Sequence, residues 1–199
     1  MSVNVNSPFG FAPNGSLGGS TPNFRLSRRT IDYQSTTAIY SGDPVQNQTS
    51  TYAGYIQQAV AYSGTIYPCG IFWGCKYLST SQGRTVWSRF WPGSDAAADV
   101  TAYVIDNPDA TFVCQADSSG MTLANINQNC NWTIGTGSTL TGTSNAVVTG
   151  ASTTAGLPLI VLDLVTDPTG APGTDAASGY NWVIVGWNTE VFKAGQTAI

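Results

Sequence analysis

Residues 99–116 read Asp99-Val100-Thr101-Ala102-Tyr103-Val104-Ile105-Asp106-Asn107-Pro108-Asp109-Ala110-Thr111-Phe112-Val113-Cys114-Gln115-Ala116. Two runs rich in β-branched and aromatic residues flank Asp106-Asn107-Pro108-Asp109. Asp and Asn form turns through their own hydrogen bonds, and proline does so through its fixed φ. The two runs predict strands, and the four-residue interval predicts that they pair antiparallel as a hairpin. The same texture extends outward. Upstream, Thr36-Thr37-Ala38-Ile39-Tyr40 ends at the turn Ser41-Gly42-Asp43-Pro44, residues 69–78 form a strand, and residues 85–91 form another that stops at Pro92-Gly93. Downstream, Leu159-Ile160-Val161-Leu162-Asp163-Leu164-Val165 is apolar on both faces except at Asp163, as a central strand buried on both sides would be. Residues 181–192 make the last strand region. The one helical alternative is a short turn around residues 54–62, flanked by glycine and without caps.

Composition points the same way. The 199 residues are 9% charged, against about 25% in an average globular chain, and Ser, Thr, Asn and Gln cover the surface instead. Of the 11 acidic residues only Glu190 is a glutamate, and of the 7 basic residues only Lys76 and Lys193 are lysines. Glu and Lys are the usual exposed helix formers, so their scarcity favours strands and turns. The expectation is an all-β fold, an antiparallel β-barrel or β-sandwich, with an extended N-terminal arm.

The chain has no histidine. That excludes Ser-His-Asp and Cys-His nucleophile systems and His-ligated zinc or haem, and it removes the commonest general base. The net charge of −4 argues against nucleic-acid binding, and no apolar run is long enough to span a membrane. The opening Met1-Ser2-Val3-Asn4-Val5-Asn6 lacks the basic and apolar regions of a signal peptide, so a cytoplasmic place of synthesis is expected. Cys69, Cys75, Cys114 and Cys130 show no metal-binding spacing. On a regular strand Cys69 and Cys75 share a face but lie about 20 Å apart, too far for a disulfide. Either the glycines between them bend the chain or the thiols are free and packed. Among the aspartates, Asp95, Asp99, Asp106, Asp109, Asp163 and Asp167 could supply an acid–base pair of the glycosidase kind. Several of them sit in turn signals, which is the ordinary use of Asp. No enzyme activity, cofactor or metal site is expected.

Three regions depart from the strand texture. Residues 1–29 form the expected arm, rich in Pro, Gly, Asn and Ser, and residues 30–199 form the β-domain. Phe9, Phe11 and Phe24 are costly residues for a mere spacer and mark the arm as a segment that docks on a partner, the alternatives being a free tail or an arm tucked onto its own domain. Arg25-Leu26-Ser27-Arg28-Arg29 puts three of the seven cations within five residues. Arg25, Arg28 and Arg29 either grip an acidic partner or pair with the domain's own aspartates. Residues 117–156 are almost free of charge and read as a polar meander or loop insertion. Aromatic residues crowd the middle third of the chain. Trp73, Trp87 and Trp91 belong either to a β core or to a protein interface or sugar-stacking platform.

Several of these stretches together resemble the capsid decoration, or cement, proteins of tailed bacteriophages. They are the opening Met1-Ser2-Val3-Asn4-Val5-Asn6-Ser7-Pro8-Phe9-Gly10-Phe11, Ser41-Gly42-Asp43-Pro44-Val45, Gly70-Ile71-Phe72-Trp73-Gly74-Cys75-Lys76-Tyr77, Trp91-Pro92-Gly93 and Tyr103-Val104-Ile105-Asp106-Asn107-Pro108-Asp109. The motifs are short and rich in turn residues, and residues 117–156 have no counterpart. The resemblance implies a non-enzymatic virion structural protein, made and assembled in the host bacterial cytoplasm. Its partner would be the major capsid protein, whose outer lattice surface it would bind and stabilise in the mature head. It also implies self-association, as a homotrimer near local three-fold axes. The alternative class is a carbohydrate-binding or host-attachment β-domain on a tail or surface appendage.

Overall fold

Alternating burial runs through most of the segments that the sequence marks as strands. In the computed structural model, which describes residues 4–18, 25–48, 54–60 and 67–193, they form fourteen strands. These are β1 (Ala12–Ser16), β2 (Leu26–Ile31), β3 (Ile39–Tyr40), β4 (Pro44–Asn47), β5 (Ile56–Gln58), β6 (Pro68–Leu78) and β7 (Thr85–Ser88). There follow β8 (Phe90–Trp91), β9 (Val100–Ile105), β10 (Ala110–Gln115), β11 (Asn129–Gly135), β12 (Asn145–Ser152), β13 (Leu159–Leu164) and β14 (Trp182–Trp187). One turn of 3₁₀ helix, Leu123–Asn125, is the helical piece among the described residues, none of which forms a helix able to cross a membrane.

The first sheet has the order β1-β10-β14-β13-β11-β12, and the second β2-β9-β6-β4-β5 with β7 also paired to β6. A two-stranded ribbon joins β3 and β8. All these ladders are antiparallel. Each large sheet curls until its outer parts meet at one parallel bridge, Ala116 with Val148 in the first and Thr30 with Tyr55 in the second. Neither closes through a ladder, so the architecture is a sandwich of curled sheets and not a closed barrel. β13 has the central position expected of it, between β14 and β11, but only one of its faces is fully buried: Ile160 and Leu162 are half-buried and Asp163 is exposed.

The expected hairpin over residues 99–116 does not form. β9 belongs to the second sheet and β10 to the first. Asp106, the first turn residue, accepts hydrogen bonds from Ser27 Oγ (2.7 Å) and from the Arg29 guanidinium (3.0 Å), both in β2. Asn107 Oδ1 then accepts from Asp109 N (3.0 Å), and the chain passes into the other sheet. Val100, Ala102 and Val104 point into one core, while Ala110, Phe112 and Cys114 point into the other. Ile71 and Ile105 of the second sheet join the first sheet's core, which is how the two sheets pack.

The N-terminal residues are part of the domain. Asn4 Nδ2 donates to Asp175 O (2.8 Å) and Gly179 O (3.0 Å). Gln115 accepts from Ser7 N (3.1 Å) and donates to Val5 O (2.8 Å). β1 lies along β10, and β2 is a strand of the second sheet, so the expected boundary at residue 29 falls inside a strand. The turn expected around residues 54–62 contains β5, which pairs with β4. Residues 117–156 supply β11 and β12 and bury Cys130, Trp132, Ala146 and Val148, so this polar stretch is a meander built into the first sheet.

Asp43 lies where these parts meet, fully buried. It accepts hydrogen bonds from Ser144 Oγ (2.5 Å), Gln58 Nε2 (2.6 Å) and Tyr40 N (2.8 Å). Burial pushes its pKa up, by more than these three donors draw it down. Around it Phe11 N donates to Gly42 O (3.0 Å), Gly42 N to Phe72 O (2.8 Å) and Ser144 N to Ser41 O (2.9 Å). Gly42, at φ +97°, packs against Phe11 N, and a Cβ on Gly10 would collide with Ser144. The four cysteines are free and buried. Burial pushes the thiols of Cys69, Cys75 and Cys130 up to about 12.

Replacing Asp43 with Ala strands three buried donors. Asp43→Ala is expected to lower the unfolding free energy by roughly 2–4 kcal/mol, read as a shift of the urea midpoint.

Candidate functional site

One face of the second sheet is only partly covered. On β9, Ile105 is buried under the first sheet, whereas Tyr103 two residues earlier is half-buried on the same side of the strand. β6 contributes Trp73, Lys76 and Leu78 to this uncovered region, β7 contributes Trp87, and β2 contributes Leu26 and Arg28. Trp73 has no cross-strand partner, because the register passes from Phe72 with Val104 to Gly74 with Tyr103. It is the extra residue of a bulge, the usual device for re-aiming a side chain. The Trp87 indole reaches across β6 to stack on Tyr103, with ring centres 5.5 Å apart and planes 14° from parallel. Lys76 Nζ lies 5.1 Å from the centre of the same indole, a cation–π contact. Trp87 is 65% exposed and Trp73 40%. Together with Leu26, Arg89 and Tyr103 they line an open hollow of about 390 Å³.

Charge is concentrated beside this face. Arg29 is paired with Asp106 and Arg84 with Gln82, whereas Arg25, Arg28 and Arg89 have no hydrogen bond or ion pair among the described residues. Next to the Arg29–Asp106 pair lies Glu190, fully buried. Its Oε2 accepts from Phe192 N (2.8 Å), and its Oε1 has no partner among the described residues. Burial pushes its pKa up to about 7, and the neighbouring Asp106 adds to the rise.

The structure brings Trp73 and Trp87 together on the surface, as the interface reading requires, but places Trp91 in the second core. Trp91 is fully buried, edge-on to Tyr77 with ring centres 5.2 Å apart. Positions 87 and 91 would share a face in one continuous strand. The ladder breaks at Arg89, where β7 ends and β8 turns to pair with β3, so the two indoles part. Of the arm residues, Phe11 is buried against Phe112, and Phe9 packs edge-on to Trp182 at 5.1 Å. They meet their own domain because β1 and the Gln115 hydrogen bonds lay this segment on the first sheet. Phe24 lies outside the described residues. Arg25 and Arg28 are exposed.

Sequence reasoning missed Leu26, Lys76, Arg89 and Tyr103 as members of the site. Tyr103 carried a signal, since Thr101 and Tyr103 alternate with buried Val100, Ala102 and Val104. The bulge at Trp73 carried none beyond the adjoining glycine. Of the aspartates weighed for acid–base chemistry, Asp95 accepts from Ser79, Thr80 and Ser81, Asp99 from Tyr55, and Asp106 from Ser27 and Arg29. Among the described residues no three His, Cys, Asp or Glu side chains group as metal ligands. Comparison with known proteins finds no matching family model, no matching curated protein and no matching solved structure.

Two outcomes follow from these burials. Trp91→Ala is expected to destabilise the fold by roughly 3–5 kcal/mol, and Trp87→Ala by under about 1 kcal/mol, in thermal or urea unfolding. Glu190 holds its proton more tightly when folded (about 7) than an ordinary glutamate does (4.5). Its contribution is therefore full below about 4.5 and is lost as pH rises through about 7. Glu190→Gln is expected to flatten that decline and to exceed the parent by roughly 2–3 kcal/mol at high pH, compared by urea unfolding at pH 4 and pH 8.

Proposed function

We propose that the chain is a non-enzymatic structural protein of a tailed-bacteriophage head, binding the outer surface of the major capsid protein lattice through the open face of its second sheet. The observation that carries the reading is the exposed Trp73 and Trp87 clustered with the half-buried Tyr103, with Arg28 and Arg89, whose side chains have no partner among the described residues, at the margin. Trp, Tyr and Arg dominate protein interfaces because they bury large area with few rotatable bonds and keep a polar handle. A surface otherwise poor in charge suits close packing beside other subunits. The short motifs that resemble capsid decoration proteins supply the identity of the partner, the trimeric assembly and the virion location.

The mechanism is selective binding. A protein that buries its aromatic face only on the mature lattice stabilises that lattice by mass action. Because Phe9 and Phe11 are occupied within the domain, attachment falls to the sheet face and to Arg25 and Arg28 in place of a free arm. The sugar-binding alternative needs an open aromatic face. Tyr103 already covers Trp87 on one side and Lys76 approaches the same ring, so protein docking is the better fit.

The Trp73→Ala/Trp87→Ala double variant is expected to stay folded and to lose co-sedimentation with heads stripped of the protein. Co-sedimentation equal to the parent's would overturn the reading.

A further inference from the structure

After β14 the chain leaves the first sheet and crosses to the second as a short strap, residues 188–193. Its first two residues are fastened to the approach to β13. Asn188 N and Thr189 N both donate to Pro158 O (2.8 and 3.2 Å), and Asn188 Nδ2 donates to Leu157 O (2.7 Å) and Ala155 O (2.8 Å). The far half is held to the second sheet by less. One backbone bond runs from Val191 N to Pro68 O at the start of β6 (3.1 Å), and the Val191 side chain packs on the second core. Lys193 turns back on the strap, its N donating to Glu190 O (2.9 Å) and its Nζ to Trp187 O (3.0 Å).

Between these two anchorages the strap buries the Glu190 carboxyl group completely. Phe192 N reaches Oε2 (2.8 Å), and Oε1 has no partner among the described residues. The groups around it supply little counter-charge. Arg29 of β2 is committed to Asp106, and its buried Nε also lacks a partner, so it does not bond to Glu190. Asp106, just past β9, repels a second negative charge. Cys69 of β6 stays neutral, its thiol pushed up to about 12. Lys193 attracts a charge on Glu190, but its ammonium sits on the Trp187 carbonyl. Arg25 is exposed, in the hollow beside Asp106 and Phe192. An ionised carboxyl group is therefore costly here, and contact with water relieves that cost.

We propose that residues 190–193 are a proton-operated latch on the seam between the two sheets: neutral Glu190 keeps it shut, and ionisation swings it out about Asn188 and Thr189, uncovering the start of β6 at Cys69. The hinge falls there because four hydrogen bonds fasten residues 188 and 189, against one between the far half and the second sheet. Glu190 keeps its proton up to about 7 in the closed strap and to 4.5 as an ordinary glutamate in water. The open fraction is thus smallest below about 4.5, rises about tenfold for each pH unit up to about 7, and levels off above. The proposal does not depend on the capsid reading, since it uses none of the aromatic face.

The test follows amide hydrogen exchange of the full chain by NMR from about pH 5 to pH 8.5, each rate divided by its intrinsic value. Opening at Val191, Phe192 and Lys193 is expected to rise about tenfold per pH unit and then flatten near pH 7, and to stay level in Glu190→Gln. Amides of β14 are expected to remain better protected throughout. At about pH 8, iodoacetamide is expected to label Cys69 about tenfold or more faster in the parent than in Glu190→Gln, with Cys114 and Cys130 equally slow in both. Comparison at one pH cancels the thiol's own ionisation. The proposal is overturned if protection at residues 191–193 does not fall with pH, or falls equally in Glu190→Gln. It is also overturned if β14 and all four thiols open in step with the strap, which is unfolding of the whole domain. The parent's pH course decides between these outcomes even if the variant does not fold.

Discussion

A carboxylate without access to water must find its hydrogen bonds inside the protein, and Asp43 finds them in its own turn and in two other stretches of chain. Gln58 belongs to the second sheet and Tyr40 to the two-stranded ribbon, and Ser144 immediately precedes β12 of the first sheet. An unpaired polar group at this depth costs several kcal/mol, so the three stretches are bound to one relative position. The backbone bonds around it extend the same node to Phe11 and Phe72. Apolar packing between the sheets is non-directional and would tolerate sliding. The Asp43 node does not, because its donors must arrive at fixed distances and angles.

The exposed aromatic face is a by-product of how the second sheet is held at that position. Ile71 and Ile105 are covered by the first sheet, and the cover ends before Tyr103 and Trp73. The bulge at Trp73 and the break at Arg89 then decide which indoles reach the surface. Parity along a strand is thus a local property, reset at each irregularity.

The β character was legible in composition and in strand texture, and the strands at residues 69–78, 100–105, 110–115 and 159–164 follow the apolar runs closely. Pairing was less so. Residues 99–116 have the interval and turn residues of a hairpin, yet Ser27 and Arg29, about eighty positions away, hold Asp106 so that the chain crosses between sheets. The N-terminal segment looked like a linker because its attachments are side-chain to backbone bonds involving Gln115 and Asn4 and a short, irregular ladder of β1 on β10, which leave no periodic pattern. Of the candidate surface, the composition marked Trp73 and Trp87. Their union with Tyr103 depends on a side chain that crosses a whole strand, and separation in sequence does not report that.

The attachment of the N-terminal segment also bears on the order of assembly. Asn4 bonds to the backbone at residues 175 and 179, and β1 pairs with a strand almost a hundred residues later. During synthesis these early residues must wait until nearly all of the domain has been made. Contacts of such long sequence separation carry a large loop-closure entropy and slow folding. In the interval it is β1, already made and without its partner, that stays bare as an unpaired strand exposed to other copies of the chain.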